Sequence, residues 1–330
     1  MKLAAACALL LGLAVATGLI GYFGFAAVGD AFLSAGWGML FIAAIHVLSI
    51  FCTAYAWRTA TQGAWQGPYG DFLWARWVRE SVNTLMPVGQ VGGDLVGARL
   101  LAIRGAGSAA AGAGVVVDKT VDVFTQFIFS LMGVGLLLYV SAEQSIGWSV
   151  AIGLLLFLPL LIGFVVAQRM GMFHLLERFL LRLEQKSSWL SLGDVSGLHE
   201  TLLRLYREKR ALAVASISHM ASWLIGIGEV WLALYFMGIE ISLVEAAIIE
   251  SLAQAVRSAG FFIPASLGVQ EGGYLVFGVL FGLSPEVALA LALVRRVRQL
   301  LIGVPGLLFW QYFEGRRVVL ARRRASITDC

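Results

Sequence analysis

Two Gly/Pro-broken segments, one in each half of the chain, interrupt sequence that otherwise reads as membrane-spanning. The first runs Arg79-Glu80-Ser81-Val82-Asn83-Thr84-Leu85-Met86-Pro87-Val88-Gly89-Gln90-Val91-Gly92-Gly93-Asp94-Leu95-Val96. The second runs Arg257-Ser258-Ala259-Gly260-Phe261-Phe262-Ile263-Pro264-Ala265-Ser266-Leu267-Gly268-Val269-Gln270-Glu271-Gly272-Gly273-Tyr274-Leu275-Val276. Each has Arg, Ser, an apolar run, Pro, a Gly-rich turn with Gln, and then Gly-Gly-x-Leu-Val. Broken apolar segments at matching places in two halves are the pattern by which a transporter site shows itself in sequence.

The surrounding composition fixes the class. Of 330 residues 59% are hydrophobic and 13% charged, more apolar surface than a soluble domain of this length can hide. Several runs reach about 20 apolar residues, enough to cross a hydrocarbon layer roughly 30 Å thick. Met1-Lys2 followed by Leu3 to Ile20 resembles a signal peptide, but the apolar run continues to Val28 and reads as a first span. Cys7, Cys52 and Cys330 are scattered, and His46, His174, His199 and His219 lack ligand spacing, so neither a disulfide framework nor a metal site is expected.

Full spans are expected near 3–28, 36–57, 108–140, 147–167, 211–237 and 285–311, with hairpins at 70–104 and 243–283. The polar stretch 168–210 and the tail 316–330 carry most of the loop Lys and Arg, whereas the connections near Asp30, Glu143 and Glu240 carry none. The positive-inside rule places 168–210 and both termini in the cytoplasm. Parity then makes 70–104 enter and leave on the cytoplasmic side and 243–283 on the outer side. The expected fold is an all-α polytopic membrane protein. It has six spans and two re-entrant hairpins in an inverted-topology repeat. Its parts are a first repeat over 1–145, an inverted second repeat over 146–315 and a basic cytoplasmic tail. Segment 172–185 is amphipathic and suits either a linker helix packed on the bundle or an interfacial helix.

Charges at membrane depth point to function. The third span holds Asp118, Lys119 and Asp122, and the last holds Arg295, Arg296, Arg298 and Gln299. The hairpins add Arg79, Glu80, Asn83, Asp94 and Arg99, then Glu250, Gln254, Arg257 and Glu271. Each Arg or Asp at a helix centre costs about 2.5–3.5 kcal/mol to insert, so these residues must pair or face water. Structural ion pairs explain any one of them. Apolar packing is the more efficient stabiliser, however, and the set as a whole implies a polar groove near the midplane. The glycines of spans, such as Gly133, Gly135 and Gly163, read as helix-packing positions. The Gly92-Gly93 and Gly272-Gly273 pairs read as parts of the turns.

At these residues the chain resembles the flippase-like integral-membrane region of lysylphosphatidylglycerol synthases. The marks are Arg79, Asn83 and Pro87, Gly92-Gly93-Asp94 with Arg99-Leu100-Leu101, and Asp118-Lys119-x-x-Asp122. Pro264-x-x-Leu267-Gly268-x-x-Glu271-Gly272 and Leu283-Ser284-Pro285-Glu286-x-Ala288-Leu289-Ala290 complete them. The wording from Met86 to Arg99 looks most like the stand-alone, hopanoid-biosynthesis-associated members. The resemblance implies movement of an amphipathic lipid, a hopanoid or a modified phospholipid, in a bacterial inner membrane. The soluble aminoacyl-transfer domain of the full synthases is absent from this sequence, so no enzyme activity is expected.

The substrate-contact candidates are Arg79, Asn83, Gln90, Asp94, Arg99, Arg257, Gln270, Glu271, Arg295 and Arg298, with Arg79, Arg257 and Arg295 foremost for the headgroup. Asp118, Lys119, Asp122 and Glu250 are candidates for ion pairing or proton coupling, and Glu271 for either role. No G-x-x-x-x-G-K-[ST] loop occurs, so no cofactor is expected and any drive comes from a gradient, voltage or mass action. The expected partners are the membrane and a membrane lipid, with lipid-biosynthesis enzymes as possible companions; nucleic acid is not among them. Two other classes stay open at the level of sequence. One is an intramembrane lipid enzyme using Ser81, Ser258 or Ser266. The other is a scaffold that transports nothing.

Overall fold

The computed structural model describes residues 25–86, 92–140, 197–259 and 266–328, with side chains as far as Glu314. The expected spans 3–28 (up to residue 24) and 147–167, the amphipathic segment 172–185, and the turn residues Pro87, Gln90 and Pro264 lie outside them. Among the described residues all regular structure is helical. The helices are α1 (Phe25–Ser34), α2 (Gly38–Ala60), α3 (Tyr69–Leu85), α4 (Gly92–Leu101), α5 (Ser108–Val140), α6 (Leu198–Arg207), α7 (Lys209–Phe236), α8 (Leu243–Ala259), α9 (Val269–Leu280) and α10 (Pro285–Thr328). A π-helical turn, Ala102–Ala106, extends α4.

Helices α2, α5 and α7 are long and apolar enough to cross a membrane, and only 22–39% of their most apolar stretches is buried within the protein. Leu40, Phe41, Leu48, Phe124, Ile128, Ile217 and Leu224 point outward from them. A water-facing protein would bury such a surface; hydrocarbon accepts it. Helix α10 continues through the basic segment, so residues 316–328 prolong the last helix. At 1.5 Å per residue its 44 residues measure about 66 Å, well beyond one hydrocarbon layer.

Both Gly/Pro segments break as the sequence requires. Helix α3 stops at Leu85, and Met86, preceding Pro87, is extended (φ −97°, ψ 143°) because proline excludes helical geometry from the residue before it. Helix α8 ends at Ala259 and α9 starts after Gly268, whose φ is +78°. The Glu271 carboxylate accepts the free Gly268 N–H at 2.8 Å and so closes the first turn of α9. The chain then returns along itself, α4 on α3 and α9 on α8. The Gly92-Gly93 and Gly272-Gly273 pairs are therefore more than turn elements. A Cβ on Gly93 would lie 2.1 Å from the Arg79 carbonyl, and one on Gly273 would lie 3.3 Å from the Ala253 backbone. In both pairs the second glycine lets the two arms close.

The packing is reciprocal. Exchange α1 with α6, α2 with α7, α3 with α8, α4 with α9 and α5 with α10, and the main contacts map onto one another. Helix α10 packs on α3 as α5 packs on α8; α10 packs on α1 as α5 packs on α6; α2 and α7 pack on each other. Each helical pair is thus closed by the long helix of the other half, the arrangement expected of two copies of one unit facing each other. One core joins Phe129, Leu234, Leu252 and Leu291. Another joins Trp57, Phe72, Val78 and Leu100 beneath the first pair.

Gly133 brings α5 against α8: a Cβ there would sit 1.8 Å from Ser251 Oγ. Among the described residues nothing lies within 4 Å of a Cβ on Gly135, two residues on, and Gly163 lies outside them. Gly133→Leu should therefore destabilise the protein by about 1–3 kcal/mol through overpacking, whereas Gly135→Leu should be tolerated. Thermal unfolding in detergent checks this; equal losses in the two variants would contradict it.

Candidate functional site

The charged residues collect where α2, α3, α5, α7, α8 and α10 meet. In the first half the Arg79 guanidinium, 2% exposed, is held on two sides. Its Nε donates to Asp94 Oδ1 and its Nη1 to Asp118 Oδ2, both at 2.5 Å. Its third face lies over the Trp57 ring, 5.0 Å from the centroid. Asp118 is fully buried and also meets His219 Nε2 at 2.9 Å, with Arg76 at 3.8 Å. One turn along α5, Asp122 pairs with Lys119 at 3.1 Å and faces His219 Nδ1 at 3.4 Å. Asn83 Oδ1 accepts the Gly93 N–H at 2.7 Å and ties the arms of the pair together.

The second half carries the same plan with the signs exchanged. The cation now sits on α10, where Arg295 binds Glu229 of α7 and Glu250 of α8. Tyr274 of α9 donates its hydroxyl to Glu250 Oε2 at 2.7 Å and accepts from Arg295 Nε at 2.9 Å. Arg298 also reaches Glu229, and Arg296 reaches Glu271 Oε1 at 2.9 Å. His46 of α2 joins the halves. Its Nε2 lies 2.6 Å from Glu80 Oε1, and its Nδ1 lies 2.9 Å from Glu229 Oε1 and 2.7 Å from Arg298 Nη1.

Many of these groups, among them His46, Arg79, Asp122, Glu229 and Arg295, line a cavity of about 160 Å³, bordered by both helical pairs. It can hold several waters, since one water needs only some 10–15 Å³ on this measure. Its walls are polar: Ser49, Asn83, Thr84, Gln126, Ser222, Gln254 and Gln299 stand among the ions. Arg257 also faces it. Among the described residues its one polar partner is Gln254 Oε1 at 3.3 Å, and its Nε is buried without an acceptor. No carboxylate lies within salt-bridge distance of it among the described residues. Beside this chamber an apolar groove of about 640 Å³ runs between α2, α3 and α10, lined by Ile50, Phe51, Trp74, Trp77, Phe309 and Phe313.

A family model of the lysylphosphatidylglycerol synthase TM region matches residues 9–306. The chain belongs to that family. It is accordingly a membrane protein of lipid metabolism or transport. Comparisons with curated proteins and with solved structures give no match.

In this family member the sequence-selected residues divide. Arg79, Asn83, Lys119, Asp122, Glu250, Arg257, Arg295 and Arg298 border the chamber. Asp94 and Asp118 stand behind Arg79 and hold it. Gln270 and Glu271 belong to the α9–α10 contact, where Gln299 Nε2 reaches Gln270 Oε1 at 3.4 Å. Arg99 is exposed and pairs with Glu314 at 3.3 Å, away from the chamber. Sequence reasoning missed His46, His219, Glu229 and Tyr274. The two histidines were set aside for lacking metal-ligand spacing. Each nonetheless sits inside an apolar span, as does Glu229, and a lone ionisable residue in such a span is itself a functional signal.

The Arg79–Asp118 pair tests whether the ions act as a coupled set. Arg79→Met should cost about 3–5 kcal/mol, because it leaves buried carboxylates uncompensated. Adding Asp118→Leu should recover part of that loss. A double-mutant cycle on folded yield and melting temperature reads the outcome, and strictly additive losses would show that the two are not coupled.

Proposed function

We propose that the protein is a lipid transporter of the bacterial inner membrane, without enzymatic activity of its own. The observation that carries this reading is Arg257, a cation without a carboxylate partner among the described residues, facing a chamber in which the other buried arginines contact acids. An unmatched guanidinium in such a place calls for an anion, and a phosphate or carboxylate headgroup meets its fork with two parallel bonds. The adjoining apolar groove suits the tails of the same molecule, so headgroup and tails have separate surfaces side by side. The family, whose members act in lipid metabolism or transport, supports the class. The finer architecture belongs to this proposal. It comprises six spans, two re-entrant hairpins of opposite orientation and cytoplasmic termini, with the reciprocal packing as its support. A hopanoid or a modified phospholipid is the proposed cargo, on the sequence resemblance.

Serine chemistry gains no support from the geometry. Ser81 Oγ donates to the Trp77 carbonyl and Ser258 Oγ meets the Gln126 amide, so neither stands against a histidine base.

The two hairpin arginines, equivalent in sequence, have different roles on this reading: Arg79 is a structural anchor and Arg257 the headgroup contact. Arg257→Lys should slow movement of a quenchable fluorescent anionic lipid in proteoliposomes while leaving the melting temperature near wild type. Arg79→Lys should lower folded yield instead. Wild-type rates per folded molecule in Arg257→Lys and Arg257→Gln would remove Arg257 from the transport path.

A further inference from the structure

His46 makes contacts that one protonation state cannot satisfy. A ring nitrogen carries either a proton, and donates, or a lone pair, and accepts. Nδ1 faces Glu229 Oε1 at 2.9 Å, which needs a donor, and Arg298 Nη1 at 2.7 Å, which needs an acceptor. Nε2 faces only Glu80 Oε1 at 2.6 Å, and this fixes Nε2 as a proton carrier in both forms. With a second proton on Nδ1, the ring donates to Glu229 and repels Arg298. Without it, the ring accepts from Arg298 and repels Glu229.

We propose that His46 is a proton-binding site of the chamber, whose proton selects Glu229 of α7 or Arg298 of α10 as its partner and thereby links lipid movement to a proton gradient. The charged groups that line the chamber with it are Arg76, Arg79 and Glu80 on α3, Lys119 and Asp122 on α5, Glu229 on α7, Glu250 and Arg257 on α8, and Arg295 and Arg298 on α10. Its counterpart under exchange of the halves is His219, which has a simpler environment. His219 is fully buried and faces two acids, Asp118 and Asp122, with no cation in direct contact. His46 is 12% exposed and borders the chamber, so water delivers its proton. It also occupies a joint. Among the described residues, the buried Arg–carboxylate pairs stay within one half: Arg79 with Asp94 and Asp118, Arg295 with Glu229 and Glu250, Arg296 with Glu271, Arg298 with Glu229. The buried ionic contacts between halves run through His46 and His219. A proton at His46 therefore changes how one half grips the other. The proton would be the coupled ion, a role that sequence reasoning placed on Asp118, Asp122 or Glu271. Asp118 and Glu271 are enclosed by fixed partners, and neither borders the chamber.

The proton site stands on this geometry; its link to lipid movement rests on the transport reading above. The chain has four histidines, so ring-¹⁵N histidine NMR of the whole protein in nanodiscs resolves them, and His46→Gln identifies the signal. Should that variant fail to accumulate, His174→Gln, His199→Gln and His219→Gln give the assignment by subtraction. His46 is expected to take up one proton as the pH is lowered, and its neutral form is expected to carry the proton on Nε2. A ring that keeps one state throughout, or a neutral ring protonated on Nδ1, would overturn the proposal. In proteoliposomes an imposed pH gradient should change the lipid rate in wild type, and His46→Gln should lose that response. Wild-type lipid movement indifferent to the gradient would overturn the coupling. A titrating His46 in vesicles that move no lipid would overturn the transport reading instead and leave the proton site standing.

Discussion

A charge inside hydrocarbon must find a countercharge or water, and the structure is organised around that requirement. The long apolar helices supply no driving force to associate in lipid, because a lipid tail is as apolar as a leucine. Specificity falls to close backbone approach and to polar contacts. Gly93, Gly133, Gly273 and Gly306 provide the first, the last with a Cβ position 2.2 Å from Ser81 Oγ. The ion set provides the second. Arg79 ties the first helical pair to α5 of its own half, and Glu250 ties the second to α10 of its own half. Polar groups near the centre thus set the register that apolar surfaces leave open.

The exchange of signs between the halves follows from the same requirement. Two identical halves would bring like charges to the common chamber. Here the long helix α5 carries Asp118 and the long helix α10 carries Arg295, so the two sets of helices are complementary in charge. The balance is incomplete at Arg257, whose equivalent Arg79 is enclosed by two acids. A protein concerned only with stability has no use for an unmatched buried cation, because breaking a pair costs more than never having made one. On the proposed transport reading, the site in which the pairing rule lapses is where the headgroup binds.

Much of this was legible in the sequence. The break before Pro87 follows from proline geometry, and helices α2, α5 and α7 follow from unbroken apolar runs, because both signals are local. The partner of each ion was not legible. Arg79 and Arg257 occupy matching places in matching motifs and both border the chamber, yet among the described residues only Arg79 is gripped by carboxylates; that difference arises from Asp94 and Asp118, which a motif comparison does not align with it. His46 and His219 were misjudged because metal spacing was the criterion applied. Their partners lie 34 to 252 residues away in the chain, beyond any sequence period.

The central claim is that these charges surround water between two reciprocally packed halves, and accessibility tests it directly. Single cysteines at Asn83 and Ser258, one from each helical pair, would be introduced after Cys7, Cys52 and Cys330 are replaced. Ile128, on the outward face of α5, would serve as the lipid-facing control. A membrane-impermeant thiol reagent reacts with the thiolate, which forms only where water reaches. Both chamber positions should label well above the Ile128→Cys control in vesicles. Labelling no faster than that control at both positions would show a dry ionic plug and contradict the account.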